Sequence, residues 1–294
     1  MITLNEAEAV EVSISAVEEG DEDRAFQALD SLTGIAADFL SENEEADAKR
    51  VIQSIESAAQ AAAEREMELV TINSILSLGK LARSAADKGF ESALGKAFIA
   101  IGKLGETSAA NSLEAGSKVA ATTLMEIWNF FPEQWDQEKI IAFSLLYKEI
   151  GISAAKNDME DVVLSAVTGL GEIGKKIAAR KLEIETVSSL LLLEEIGKRV
   201  AESYFDGALS STALSIEEIG KLSARNGLSD AVLQCQWALE TLRVQAEEKL
   251  LHNSSIVIEL ALDSFTDTNY ADSEENIEKI QEIKTLLEKI QSTL

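Results

Sequence analysis

An aliphatic residue followed by glycine, and in most instances by lysine, recurs through this chain: Leu78-Gly79-Lys80, Ile101-Gly102-Lys103, Ile150-Gly151, Ile173-Gly174-Lys175, Ile196-Gly197-Lys198 and Ile219-Gly220-Lys221. Successive glycines are separated by 23, 49, 23, 23 and 23 residues. Backward from Gly79 the same register meets Ser57 and Gly34, and forward it fades at Arg243. A fixed period of this size marks a chain built by repeating one small unit that cannot bury its apolar face alone.

The unit is a helix. Four residues before the glycines stand Ile75, Phe98, Tyr147, Leu170, Leu193 and Ile216, and three after them stand Ala82, Gly105, Ala154, Ile177, Val200 and Ser223. With the residue just before each glycine, these make the i, i+3, i+4, i+7 pattern of a core-facing helix stripe. Polar breaks follow once per unit, as at Lys156-Asn157-Asp158 and Arg225-Asn226-Gly227, and read as interhelical turns. A helix of roughly 18 to 20 residues spans about 28 Å, and connections this short make neighbours antiparallel. Glycine inside a helix costs about 1 kcal/mol relative to alanine, so its recurrence needs a reason: a bare position lets a neighbouring helix approach. A C-cap that ends a shorter helix is the alternative, but the apolar pattern runs on past the glycine, as in Gly174-Lys175-Lys176-Ile177-Ala178. Gly34, Gly79, Gly102, Gly151, Gly174, Gly197 and Gly220 are therefore expected as structural repeat glycines. Gly169-Leu170-Gly171-Glu172-Ile173-Gly174 follows no strand and is no phosphate loop.

Two units make a 46-residue helical hairpin. In this period and apolar pattern, residues from about 70 to 245 resemble the HEAT and armadillo-like α-helical repeat class, without its usual proline within the repeat or its Asp/Arg ladder. The resemblance implies an all-α superhelix, a solenoid of about 12–13 antiparallel helices, serving as a scaffold or protein-binding surface. The expected organisation is one continuous solenoid: acidic helical units over 1–68, a regular array over 69–245 with a break near 127–136, and capping helices over 246–294.

The 49-residue step reads as two units plus three extra residues, which fall in Glu126-Ile127-Trp128-Asn129-Phe130-Phe131-Pro132-Glu133-Gln134-Trp135-Asp136. The only proline lies here, beside two of three tryptophans. Pro132 must end or kink a helix. Large rings here either fill the wedge of an irregular turn or stand exposed as a binding hot spot; Trp128, Phe130, Phe131 and Trp135 are the candidate partner-binding residues. Near the end, Asp272 and Glu275 form a capping-box candidate ahead of a stripe of Ile277, Ile280, Ile283, Leu287 and Ile290. That amphipathic helix either caps the stack or docks on a partner or a second copy.

Charge and composition narrow the function. The 294 residues hold 52 acidic and 26 basic side chains, a net charge of −26. Residues 1–68 alone hold 18 acidic and four basic ones, a net of −14. Such a chain repels phosphate backbones and anionic membranes, so nucleic acid is not an expected partner. The longest apolar run, Val187 to Ile196, contains Glu194 and Glu195 and is too short for a membrane span. The start MITLNEAEAVEVS lacks a secretory pattern, and a lone cysteine suits a reducing compartment, so a cytoplasmic setting is expected. With one histidine, His252, and one cysteine, Cys235, no metal cluster or disulfide framework can be assembled; neither cofactor nor metal is expected. The sequence thus points to a non-enzymatic scaffold for a protein or peptide, basic in charge. The rivals are a small-molecule-binding or lyase-like enzyme with a pocket near Tyr147, Tyr204 and Trp237, and a homo-oligomer sealed through its terminal helices.

Overall fold

The computed structural model describes residues 5–130, 135–265 and 274–294. Among the described residues there are thirteen α-helices and no strand. They fall into two compact units, Met1–Gln134 and Trp135–Leu294. The division lies inside the aromatic break and not at residue 68 or 245, where the helices follow one another at unchanged spacing. Unit 1 holds α1 (Glu6–Glu19), α2 (Glu22–Ser41), α3 (Glu45–Glu64), α4 (Glu68–Lys88), α5 (Glu91–Ala110) and α6 (Glu114–Trp128). Unit 2 holds α7 (Gln137–Lys156), α8 (Glu160–Ala179), α9 (Glu183–Glu202), α10 (Asp206–Asn226), α11 (Ser229–Glu248), α12 (His252–Asp263) and α13 (Glu274–Gln291).

From α2 to α12 every helix begins 23 residues after the one before. The expected three-residue insertion is therefore absent. Ser112 and Asp158, the left-handed residues that end α5 and α7, lie two whole units apart. What shifts is the glycine, which sits ten residues before the left-handed position in α4 and α5 (Gly79 to Gly89, Gly102 to Ser112) but seven before it in α7 and α8 (Gly151 to Asp158, Gly174 to Lys181). The bare site has moved by nearly one turn along the helix while the turns kept their places.

The turns explain the constancy. Gly20, Asn43, Glu66, Gly89, Ser112, Asp158, Lys181, Tyr204, Gly227 and Leu250 all have positive φ. The residue after each donates its backbone N–H back to the carbonyl five residues earlier, as in Phe90 to Ala85 at 2.8 Å and Leu228 to Ser223 at 3.0 Å, the 6→1 bond of a Schellman cap. In eight of these turns that following residue is apolar, and Met67, Leu113, Met159, Leu228 and Leu251 are buried. It is also the N-cap of the next helix, and an apolar N-cap offers its helix no oxygen.

The missing caps come from two helices back. Within each unit a helix packs on the next and on the one after that, giving two layers: α1, α3 and α5 against α2, α4 and α6, and α7, α9 and α11 against α8, α10 and α12. Helices of one layer are parallel, so their N-termini share an edge. Glu45 Oε1 accepts from Ser92 and Ala93 N–H at the start of α5, at 2.8 and 3.1 Å. Glu68 does the same for Ala115 and Gly116 of α6, Glu160 for Ala208 of α10, and Glu183 for Asp230 of α11. Asp206 accepts from Asn253 and Ser254 of α12. The carboxylate that opens a helix thus satisfies orphan donors two helices ahead and sits against the positive ends of both. At the opposite edge, side chains of the later helix reach the last carbonyls of the earlier one: Lys88 to Ser41 O, Ser203 to Ala155 O and Asn226 to Ala178 O.

The glycines sit inside helices and lock the same layer contact. A Cβ on Gly197 would lie 2.7 and 2.9 Å from the two Leu242 methyls and 3.2 Å from Thr212, and one on Gly174 would lie 2.5 Å from Ile219 Cδ1. For Gly151, Gly174 and Gly197 the close neighbour is the aliphatic residue two helices ahead, just before the next-but-one repeat position, whereas Gly79 faces Thr123 and Gly220 faces Cys235 and Phe265. Gly34 is different, since a Cβ there would meet nothing within 4 Å. The last helix leaves the pattern. α13 packs across α7, α9 and α11, with Ile280, Ile283, Leu287 and Ile290 buried and Ile277 half exposed at 50%. The Asp272/Glu275 capping box lies outside the described residues.

Gly197→Ala is expected to cost about 1–3 kcal/mol through overpacking, and Gly34→Ala to gain up to about 1 kcal/mol through helix propensity, both read by urea denaturation. Burial opposes the charge of Asp206, but hydrogen bonds from Ser254 and Asn253 outweigh it and hold the carboxyl below its ordinary value. Its contribution is thus present above the unfolded-state value of about 3.9 and lost as pH falls through the folded one. Asp206→Ala should lose about 0.5–2 kcal/mol at neutral pH, with the gap from wild type closing in acid denaturation series run toward lower pH.

Candidate functional site

Amphipathic helices packed in layers leave their outer faces to solvent, and those faces are ordinarily polar. On α4 the outer stripe instead reads Leu69, Leu76 and Arg83, seven residues apart. Beside it α2 presents Phe26 and α6 presents Thr123 and Glu126, and between the three helices lies a groove of about 480 Å³. Phe26 and Leu76 are 42% and 44% exposed. Asn73 and Ser77 also line the groove, Lys80 and Arg83 project from its central helix, and Asp30 and Glu126 stand on the two flanking helices. Arg83 stacks over the Phe130 ring at 4.1 Å from the centroid.

The charges on α4 set this groove apart. In unit 2 the lysines after the glycines are neutralised locally: Lys175 pairs with Glu172 and Glu218, Lys198 with Glu194 and Lys221 with Glu217. Among the described residues neither Lys80 nor Arg83 is paired with a carboxylate.

The aromatic cluster at the break divides. Trp128 and Trp135 are only 6% and 7% exposed, which for the two indoles is the wedge-filling alternative. Trp128 is on the buried stripe of α6 with Leu124 and Ile127, and Trp135 meets Phe143 edge-on at a centroid distance of 6.4 Å, which in turn meets Tyr147 at 5.9 Å. Burial of so much apolar area outweighs any gain from display to a partner. Phe130 is 42% exposed and remains available, while Phe131 and Pro132 lie outside the described residues. Glycine periodicity alone could not find Phe26, Leu76 and Arg83, and marks Lys80 only as part of the repeat; the apolar i, i+7 pair Leu69 and Leu76 off the core stripe is the further signal.

Other candidates are dispersed. Tyr147 is fully buried, which pushes its phenol well above the usual value, whereas Tyr204 stands 64% exposed at a turn. His252 is the exposed first residue of α12, the place that carries Glu in most earlier helices. Among the described residues no group of three or more His, Cys, Asp and Glu is placed to hold a metal ion, and no helix is long and apolar enough to cross a membrane.

No family model matches the chain, and no curated protein does. Among solved structures it is similar to a "Circular tandem repeat protein with novel repeat topology and enhanced subunit contact surfaces", at a TM-score of 0.55 and 12% identity over 97% of this chain and 72% of that one. A second match, to a "DHF58 filament", has a TM-score of 0.23 and 14% identity over 96% and 98% of the two chains, too low to indicate a shared fold. The fold is that of an all-α tandem helical repeat, a solenoid architecture.

Cys235 is fully buried with its Sγ against Ile216 O at 3.3 Å, and burial, reinforced by Glu217, pushes its thiol far up. A thiol reagent should therefore fail to modify the native protein at neutral pH and label one site on unfolding, as counted by mass spectrometry.

Proposed function

We propose that this protein is a non-enzymatic helical-repeat scaffold that binds a segment of another protein in the groove of α2, α4 and α6. The observation that carries this is the conjunction of half-exposed Phe26 and Leu76 with the cations Lys80 and Arg83, neither paired with a carboxylate among the described residues, on one groove. Apolar anchors rimmed by charge are what interfaces use, since the rings and aliphatic chains supply burial while the charges fix register. The remaining surface is strongly acidic, so a partner with net positive charge would be steered inward at low ionic strength. Some of that acidity is already committed to helix N-termini, as with Glu45, Glu68, Glu160, Glu183 and Asp206.

Fluorescence anisotropy against a peptide library graded in charge, with the full chain at low and high salt, tests this. Binders should be lost on Phe26→Asp or Leu76→Asp by about thirtyfold, the worth of a roughly 2 kcal/mol hot spot, with helical circular dichroism unchanged. Binders indifferent to both substitutions would place the interaction elsewhere.

A further inference from the structure

The chain already shows what such a groove accepts. α13 lies across three parallel helices of one layer, α7, α9 and α11, and the cleft between it and the central one is lined by Leu191, Leu192, Glu195 and Lys198 of α9, the two leucines buried and the two charged residues exposed. Counted from the first residue of α9, these are positions 9, 10, 13 and 16. Leu76, Ser77, Lys80 and Arg83 hold the same four positions on α4, the central helix of the open groove. The two surfaces hold the same helix positions, one with an amphipathic helix beside it and the other open.

Resting on the groove assignment above, we infer that the occupant of the α2, α4 and α6 groove is an amphipathic helix from a partner protein, laid across the three helices as α13 is across its own. Its charge pattern follows from the lining. On α13, Lys284 lines the same cleft as Glu194 and Glu195 of the central helix, which pair with Lys198 and Lys148, and Gln291 donates to Glu149 of α7 at 2.8 Å. In the open groove the central helix presents Lys80 where α9 has Glu195, and Arg83 where α9 has Lys198, with Asp30 on one flank and Glu126 on the other. Packed helix axes lie about 9 Å apart, which is about six residues along a crossing helix at 1.5 Å each. The occupant therefore carries an aliphatic stripe, Asp or Glu at its middle, and Lys or Arg about six residues to either side. A copy of α13 fits poorly, because Lys284 would face Lys80.

The probe is a fluorescein-labelled peptide of residues 274–294 and its Lys284→Glu form, titrated into the full chain. The Lys284→Glu peptide should bind the wild-type chain at least tenfold more tightly than its parent, the preference should reverse on Lys80→Glu/Arg83→Glu, and Leu76→Asp should abolish binding of both. Thr285→Pro, which breaks the helix, should remove binding of the Lys284→Glu peptide. If Thr285→Pro leaves its affinity unchanged while Leu76→Asp abolishes it, the groove takes extended segments and the helix assignment fails alone. If binding responds to Glu195→Lys and not to Leu76→Asp, the peptide is exchanging with α13 and the inference is overturned. If neither probe binds while library peptides do so in a manner sensitive to Leu76→Asp, the helix assignment again fails alone; if no peptide of either set is sensitive to it, the groove assignment fails as well.

Discussion

Parallel helices set side by side bring like poles together, and this layered fold repeats that arrangement from rung to rung. Orphan N–H groups of one helix lie beside those of its layer neighbour, and orphan carbonyls gather at the opposite edge. A carboxylate at the first position of the earlier helix answers the first difficulty; Lys88, Ser203 and Asn226 answer the second. Because the carboxylate must reach the second and third N–H of a helix two units on, the turns cannot drift in register. That explains why helix starts hold their spacing through a segment where the glycines do not.

The glycine lock is looser because it is one steric contact among many. Any position facing the layer neighbour can be left bare provided an aliphatic residue fills the space, as Ile219 does against Gly174 and Leu242 against Gly197. Moving that pair by one helical turn keeps it on the same face, so nearly one turn of shift is tolerated between α5 and α7. Hydrogen bonding to helix ends allows no such freedom. The two devices also account for the composition: the acid excess is partly a capping system, and the scarcity of proline reflects helices that run for five turns and more.

Much of the architecture was legible in advance, because helix periodicity and turn spacing are local properties. The repeat, the helical unit, the short turns and the helix-interior glycines could all be read from residues such as Ile173, Gly174 and Ile177. The 49-residue glycine step is no insertion, because the glycine, a packing device, shifts along its helix while the turns keep their register. The steadier signal was the triplet of left-handed residue, apolar residue and acid, seen in Glu66-Met67-Glu68, Asp158-Met159-Glu160 and Lys181-Leu182-Glu183. The groove is hidden for a different reason: Phe26, Leu76 and Glu126 are far apart in sequence, and only the outward pair Leu69 and Leu76 departs from its helix pattern.

From the order of its amino acids alone, this chain was bound to form equal helices joined by tight turns, since apolar spacing and left-handed turn positions act within a few residues of themselves. Three-dimensional packing alone decided which carboxylates became caps, which indoles were buried, and which helix faces stayed open. Those outcomes depend on neighbours 40 and more residues away, where desolvation and the competition for helix ends are settled between elements.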